Sequence, residues 1–312
     1  MKPTRHYILL LLAANVLIFL VSLFLGRYHI PAGEIWNAII HPLSYSANSD
    51  TRVAGVVLFQ VRLPRILIAM LVGAGLGVTG ASFQGIFRNP LVSPYILGVS
   101  SGGGFGAALA ILLFDDTRTI QLLAFVFGMI AVSITYFIAR LGGRFSTYSL
   151  VLAGVVVGSF FSALISLLKY VADTYTKLPA IVFWLMGRLA SVKISDMTTT
   201  APVIIICVGL LVALRWRFNI LSLGSDEAKG LGINTTSLYV IIIVCSTLIA
   251  SSIVAIAGII GWVGLVVPHL CRMIVGADHE RLIPASALMG SAYMLLVDNL
   301  ARIMAAQEIP LG

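Results

Sequence analysis

Apolar residues in this chain come in long unbroken runs, divided by short polar breaks, with neither strand-like alternation nor a single amphipathic face. The runs cover 8–25, 66–87, 96–114, 120–139, 150–168, 200–214, 238–256, 259–275 and 283–303. A helix needs about 20 apolar residues to cross a bilayer, so the pattern predicts a polytopic helical bundle of about nine spans. Between them lie two longer polar stretches, 26–61 and 169–197, and a shorter one, 215–237. None is large enough to fold alone, so residues 1–312 form one membrane domain.

The stretch 257–290 departs most from a plain span. It is rich in glycine, is interrupted by Pro268 and His269, reaches a charged loop at Asp278-His279-Glu280-Arg281, and resumes behind Pro284. A segment broken at depth and tied to a short charged loop fits a helix beside a moving pathway. It equally fits an ordinary proline-kinked span with a polar hairpin.

Composition agrees with the runs. The chain is 59% hydrophobic and 10% charged, against about 25% charged in soluble domains. Too little polar surface remains to cover a globule, so lipid must do so, and the protein is an all-α integral membrane protein. The net charge is +8, but the bases are spread singly through loops without interleaved aromatics, which excludes a nucleic-acid partner. Cys207, Cys245 and Cys271 lie in apolar runs without ligand-like spacing and read as small buried side chains, with no metal site. Lys2 and Arg5 ahead of the first run resemble a signal peptide, but the run is long enough to span and no small-residue cleavage site follows. It reads as an uncleaved anchor.

If Lys2 and Arg5 hold the N-terminus in the cytoplasm, the inner loops carry Arg88, Arg140, Arg144, Arg215, Arg217, Lys229, Arg272 and Arg281. The outer ones carry Arg27, Arg52, Arg62, Arg65, Arg118, Lys169, Lys177, Arg188, Lys193 and Arg302. With the N-terminal pair included, each side holds ten. Charge counting therefore does not orient the chain, and the outer arginines call for a reason other than topology.

Gly73, Gly75, Gly77 and Gly80 crowd one span, and Gly102, Gly103, Gly104 and Gly106 the next. A dinucleotide fingerprint would need a strand before such glycines, and here both flanks are helix, so close helix packing is expected. Ser159, Ser162 and Ser166 recur at i, i+3 and i+7 on one face, which either lines a polar pathway or bonds a neighbouring helix.

No Gly-x-x-x-x-Gly-Lys-Ser/Thr phosphate loop occurs, and no nucleophile–base set stands out, so the chain reads as a transport subunit and not an enzyme. His6, His29 and His41 lie near termini or loops. His269 and His279 flank the inner end of the eighth run, where structural roles outweigh metal ligation. Asp298 lies within an apolar run four residues before Arg302, which predicts an ion pair near the membrane surface, with a proton relay as the alternative.

Together these motifs resemble the FecCD-type permeases, membrane subunits of ATP-binding-cassette importers for iron-siderophores, haem and cobalamin. The likeness is carried by Arg62-Leu63-Pro64-Arg65, Gln84, Arg88-Asn89-Pro90-Leu91, Pro94 and Leu97-Gly98. It continues through Leu152-Ala153-Gly154, Trp184-Leu185-Met186-Gly187, Leu223-Gly224, Ala228 and Leu231-Gly232. Val263-Gly264-Leu265, Pro268-His269, Arg272, Asp278-His279, Leu282, Pro284, Ser286-Ala287-Leu288, Asp298, Ala301-Arg302 and Glu308-Ile309-Pro310 complete it. The match runs from about residue 60 to the end.

The resemblance implies a helical bundle normally of ten spans with cytoplasmic termini, in a prokaryotic plasma (inner) membrane. The sequence stops at Gly312, where such proteins continue into a last span, so the tenth is expected to be missing. Implied partners are two ATPase copies, a second permease copy or paralogue, and a periplasmic or lipid-anchored binding protein. No cofactor is implied for this chain, since ATP is used by the separate ATPase. Arg62, Arg65 and Arg302 match positions that dock glutamates of the binding protein. Leu223, Gly224, Asp226, Glu227, Ala228, Lys229, Gly230, Leu231 and Gly232 match the loop that couples to the ATPase. Val155, Ser159, Ser162 and Ser166 would line the pathway and gate between the two copies. The eighth span is expected over 258–275, with Pro268-His269 as its inner bend. Arg188 departs from the small residue common at its position. The cargo implied first is an iron chelate, siderophore or haem, with cobalamin or molybdate/tungstate as alternatives. A secondary transporter using Asp298 as an ion relay is the reading from another class.

Overall fold

The computed structural model describes all residues except 1–2, 27, 41–48, 115, 142–145, 191 and 305–308; the side chains of 3–5, 49–52, 225 and 226 are also not described. Lys2, Arg5, Arg27, His41, Arg52, Arg144 and Glu308 therefore lie outside the described residues or side chains.

The described residues form helices without strands. The nine apolar runs appear as α1 (Pro3–Phe24), α4 (Leu63–Phe87), α5 (Val99–Leu113), α6 (Thr117–Arg140) and α7 (Thr147–Val171), then α9 (Ile194–Ala213), α12 (Thr235–Ala257), α13 (Val263–Val275) and α14 (His279–Met304). Among described residues, six helices are long and apolar enough to cross a membrane by themselves, while α5 and α13 are shorter apolar helices.

The stretches read as loops hold helices as well. Residues 26–61 contain α2 (Ala32–Ile40), α3 (Ser49–Val56) and most of a π-helical turn, Val57–Arg62, which runs without a break into α4. Residues 169–197 contain α8 (Lys177–Leu185), and 215–237 contain α10 (Arg215–Leu223) and α11 (Ser225–Gly230).

Helices α4 and α12 are the buried centre of the bundle. The crowded glycines explain how α4 gets there. A methyl on Gly73 would collide with the Gly290 carbonyl of α14, one on Gly77 with the Ser286 carbonyl, and one on Gly80 with the Gly264 carbonyl of α13. Backbone thus packs on backbone, as small residues permit where lipid supplies no hydrophobic drive between helices. On α5, Gly102 and Gly106 meet the α6 backbone in the same way. Polar pairs add to the α1–α14 contact: Asn15 Nδ2 donates to the Leu288 carbonyl at 2.9 Å, and Asn299 Nδ2 to Ser22 Oγ at 2.6 Å.

The break in 257–290 is not where the proline suggested. Pro268 lies inside α13, and the interruption comes earlier, at 258–262, where Gly258 (φ 71°) and Trp262 (φ 62°) both adopt left-handed backbone. Gly258 must be a glycine here, because a side chain would strike the Trp184 carbonyl. The C-terminal end of α13 is made by Gly276 (φ 85°), so Pro268-His269 is not a bend between helices.

Helix α14 has 26 residues, about 39 Å at ~1.5 Å per residue. Its first residue lies beside α10 and its last turns beside α1 and the start of α4, so the bundle has an α11 end and an Asp298 end.

Candidate functional site

At the Asp298 end, the structure brings Arg62, Arg65 and Arg302 together, but turns them inward. Asp298 is fully buried; its Oδ1 accepts from Arg65 Nε at 2.9 Å, and its Oδ2 lies 3.1 Å from Arg302 Nε. The second contact is an ion pair without good hydrogen-bond alignment. Arg302, 7% exposed, also donates to Asn299 Oδ1 one turn back. Arg62, 4% exposed, donates to the Leu23 carbonyl at 2.7 Å and to those of Phe24 and Tyr28. It thereby caps the C-terminus of α1, whose last carbonyls have no partner within the helix. Arg62 and Arg302 are buried, and Arg65 has a side chain only 15% exposed. In this structure the three arginines that the resemblance assigns to docking also hold the rim from within the chain.

At the other end, α10 delivers the chain to α11. Gly224 (φ 148°) turns between them in a conformation open only to glycine. The C-terminus of α11 is a Schellman cap: Ile233 N donates to the Ala228 carbonyl at 3.1 Å and Gly232 N to the Lys229 carbonyl at 2.9 Å, with Gly232 left-handed at φ 79°. Ala228 is fully buried and anchors the turn. Leu223 and Leu231 stand exposed on either side, and Glu227, Lys229, Gly230 and Gly232 also face outward. The Asp226 side chain is outside the described ones. The result is a short knob, capped at its C-terminus, with apolar flanks and charges between them.

Beside the knob lies a cleft of about 780 Å³, lined by the end of α4, Arg88 and Asn89, the start of α7 from Ser146 to Val155, and Leu223, Gly224 and Glu227. Arg88 (φ 49°) ends α4 in left-handed backbone and donates to the Leu221 carbonyl at 3.0 Å, which ties the last turn of α10 to α4.

Helix α7 joins this cleft to the far side. Val157, Phe161 and Ile165 face inward, where Phe161 packs with Phe105 and Phe127. Val155, Ser159, Ser162 and Ser166 are exposed. Ser162 Oγ bonds the Gly158 carbonyl at 2.8 Å and Ser166 Oγ the Ser162 carbonyl at 3.1 Å, with Ser101 of α5 at 3.4 Å from Ser162. Their hydroxyls are thus mostly satisfied within the helix. In the single chain this face is exposed, with the one weak bond from Ser162 to α5.

Past α7, Asp173 caps the turn into α8 by accepting from Thr176 Oγ1 at 2.6 Å and Thr176 N at 2.8 Å, bonds that hold its carboxyl below the usual carboxylate range. Helix α8 ends at Gly187 (φ 68°), and Arg188 N donates to the Ala257 carbonyl at 2.7 Å, locking α8 to the end of α12. The Arg188 side chain is exposed, and nothing in the structure explains it.

The sequence reading missed the short helices α2, α3, α8 and α10 as elements. It also missed a joint of Phe218, Asn219, Asp278 and His279 between α10 and α14. Asn219, a polar residue just ahead of the coupling stretch, was its available signal.

The described residues thus form a glycine-packed, all-helical bundle with apolar spans and a capped knob at one end. The comparisons give the family. The FecCD transport family model matches residues 11–312. The chain is 43% identical over 297 residues to the molybdate import system permease protein MolB of Haemophilus influenzae, covering 95% of this chain and 88% of that protein. It is 37% identical over 322 residues to an iron chelatin transport system permease protein of Helicobacter pylori, covering 100% and 94%. A solved inward-facing structure of a metal-chelate type ABC transporter superposes with a TM-score of 0.86 at 41% identity, covering 98% of this chain and 94% of that one. The chain belongs to the FecCD transport family and is an ABC importer permease.

Proposed function

We propose that this permease passes a metal-containing anion or chelate from a binding protein at the Asp298 end to the cytoplasm at the α11 end, driven by a separate ATPase seated on α11. The N-terminus is then cytoplasmic. The carrying observation is the α11 knob: two apolar side chains and a charged turn, rigidly capped, projecting next to the 780 Å³ cleft. A rigid projection with exposed leucines fits a groove on a partner better than it fits water. Two ATPase copies, one per permease, and a second permease facing the open side of α7 complete the assembly, with Val155, Ser159, Ser162 and Ser166 along the passage.

The rim at the Asp298 end meets the binding protein. Its positive character comes from arginines held around Asp298, and complementary charge steers encounter more than it sets affinity. Cargo selection rests with that binding protein. Molybdate stands first, supported by the 43% identity to a molybdate import permease, and an iron chelate second, supported by the 37% relative.

The test is copurification and turnover. Deleting Asp226–Lys229 should leave the chain folded in the membrane but release the ATPase and end ATP-driven uptake. Retained uptake after the deletion would refute seating at α11. Isolated binding protein titrated with molybdate and with ferric chelates decides the cargo.

A further inference from the structure

The joint between α10 and α14 carries an inference beyond the seating of the ATPase. Asp278 caps α14: its Oδ1 accepts from Glu280 N at 3.0 Å, and its Oδ2 pairs with Arg281 Nε at 3.3 Å. The same Oδ1 accepts from Asn219 Nδ2 of α10 at 2.7 Å. Asn219 Oδ1 turns the other way, accepting from His279 N at 2.8 Å and standing 3.1 Å from His279 Nδ1. Because the amide nitrogen faces a carboxylate, the oxygen is fixed towards the histidine, and Nδ1 must carry a proton. His279 is buried and stacks on Phe218, itself fully buried, at 5.9 Å between centroids and 17° between planes. Gly85 of α4 closes the remaining side; a methyl there would lie 2.7 Å from His279 Nε2.

One amide thus holds three atoms at the head of a span, from a helix that leads directly into the knob. We propose that Asn219 is a positioning residue that clamps the α10–α11 unit to the head of α14, so that displacement at α11 is delivered into α14. The clamp rests on the proposed seating of the ATPase for its use, but not for its existence. α14 is a continuous helix whose far end carries Asp298, so the delivered motion reaches the Asp298 end without passing through α7.

The chemistry of the clamp supplies its own test. Asn219→Asp keeps the acceptor towards His279 but loses the donor and sets two carboxylates face to face. Adding Asp278→Asn restores a donor–acceptor pair with the roles exchanged. In the full chain, spin labels at Leu231→Cys and Glu280→Cys report the distance between the knob and the head of α14; the three native cysteines are buried and take no label. Asn219→Asp should broaden that distance distribution, and the exchange variant Asn219→Asp/Asp278→Asn should narrow it again. In vesicles with the ATPase and binding protein, cargo moved per ATP should fall roughly tenfold in Asn219→Asp, the size expected for losing one charge-assisted hydrogen bond. ATP hydrolysis should persist, and the exchange variant should recover most of the ratio. An unchanged distance distribution, an unchanged ratio, or an exchange variant no better than the single one would overturn the clamp. Absence of ATP-driven uptake in the parent chain would instead refute the proposed function, and the distance measurement would still decide the clamp.

Discussion

Replacing Asp298 by asparagine is the sharpest perturbation of the rim. The carboxylate is fully buried and faces Arg65 Nε at 2.9 Å and Arg302 Nε at 3.1 Å. Asparagine keeps the shape and one acceptor but removes the charge between two guanidinium groups. With charge centres ~4 Å apart and an effective dielectric near 20, each lost attraction is about 4 kcal/mol, and the arginines then repel each other. Part of this returns, because a neutral amide costs less to bury, and Arg65 is partly solvated. The net loss should be about 3–5 kcal/mol, as for other buried pairs with one partner removed. Unfolding of the purified chain in mixed micelles, by added denaturing detergent, measures it. A companion variant with Asp298→Leu, Arg65→Met and Arg302→Met, which removes all three charges, should return to within about 2 kcal/mol of the parent. If Asp298→Asn unfolds like the parent, the cluster does not hold the rim together.

Three further outcomes follow from the geometry. Gly80→Ala drives a methyl into the Gly264 carbonyl and should cost about 1–3 kcal/mol by the same assay, whereas Gly209→Ala, with open space beside it, should be neutral or better. Arg62→Met strands the carbonyls at the end of α1 and should destabilise by about 1–3 kcal/mol, with faster hydrogen exchange near Tyr28. The Asp173 carboxyl titrates below its unfolded value, so its cap is fully formed above about pH 4 and is lost as pH falls through the folded pKa. Exchange of the Thr176 amide should accelerate on that acid side alone, and a rate that rises with pH beyond intrinsic chemistry would contradict the cap.

Long apolar runs are legible because each span satisfies its own backbone bonds and needs no partner to be recognised. That is why all nine runs reappear as helices. The glycine clusters were legible for the same reason: between two helical flanks, only close packing remained as their use. The short helices were not. α2, α8 and α10 have nine residues each, too few to be stable or to show a clear period alone, so tertiary contacts, not local pattern, decide them. The break at 258–262 was misplaced because proline is a strong local signal, yet α13 accommodates Pro268 at its sixth position, while the left-handed Trp262 leaves no trace in sequence. Arg62 shows the limit most plainly. Its role is set by carbonyls 34 to 39 residues earlier in the chain, and no linear pattern says whether an arginine meets a partner's carboxylate or a helix end. Asp298, by contrast, was readable in part: its pairing with Arg302 follows from spacing, and Arg65 joins it from 233 residues away.

The most direct test of the importer reading is uptake into sealed vesicles holding this permease with its ATPase, the binding protein outside and ATP within. Uptake of molybdate, or of the ferric chelate the binding protein prefers, should require ATP and the binding protein and persist when ionophores collapse all ion gradients. Uptake that continues without ATP and stops with the ionophores would contradict it, and would return Asp298 to the role of an ion relay.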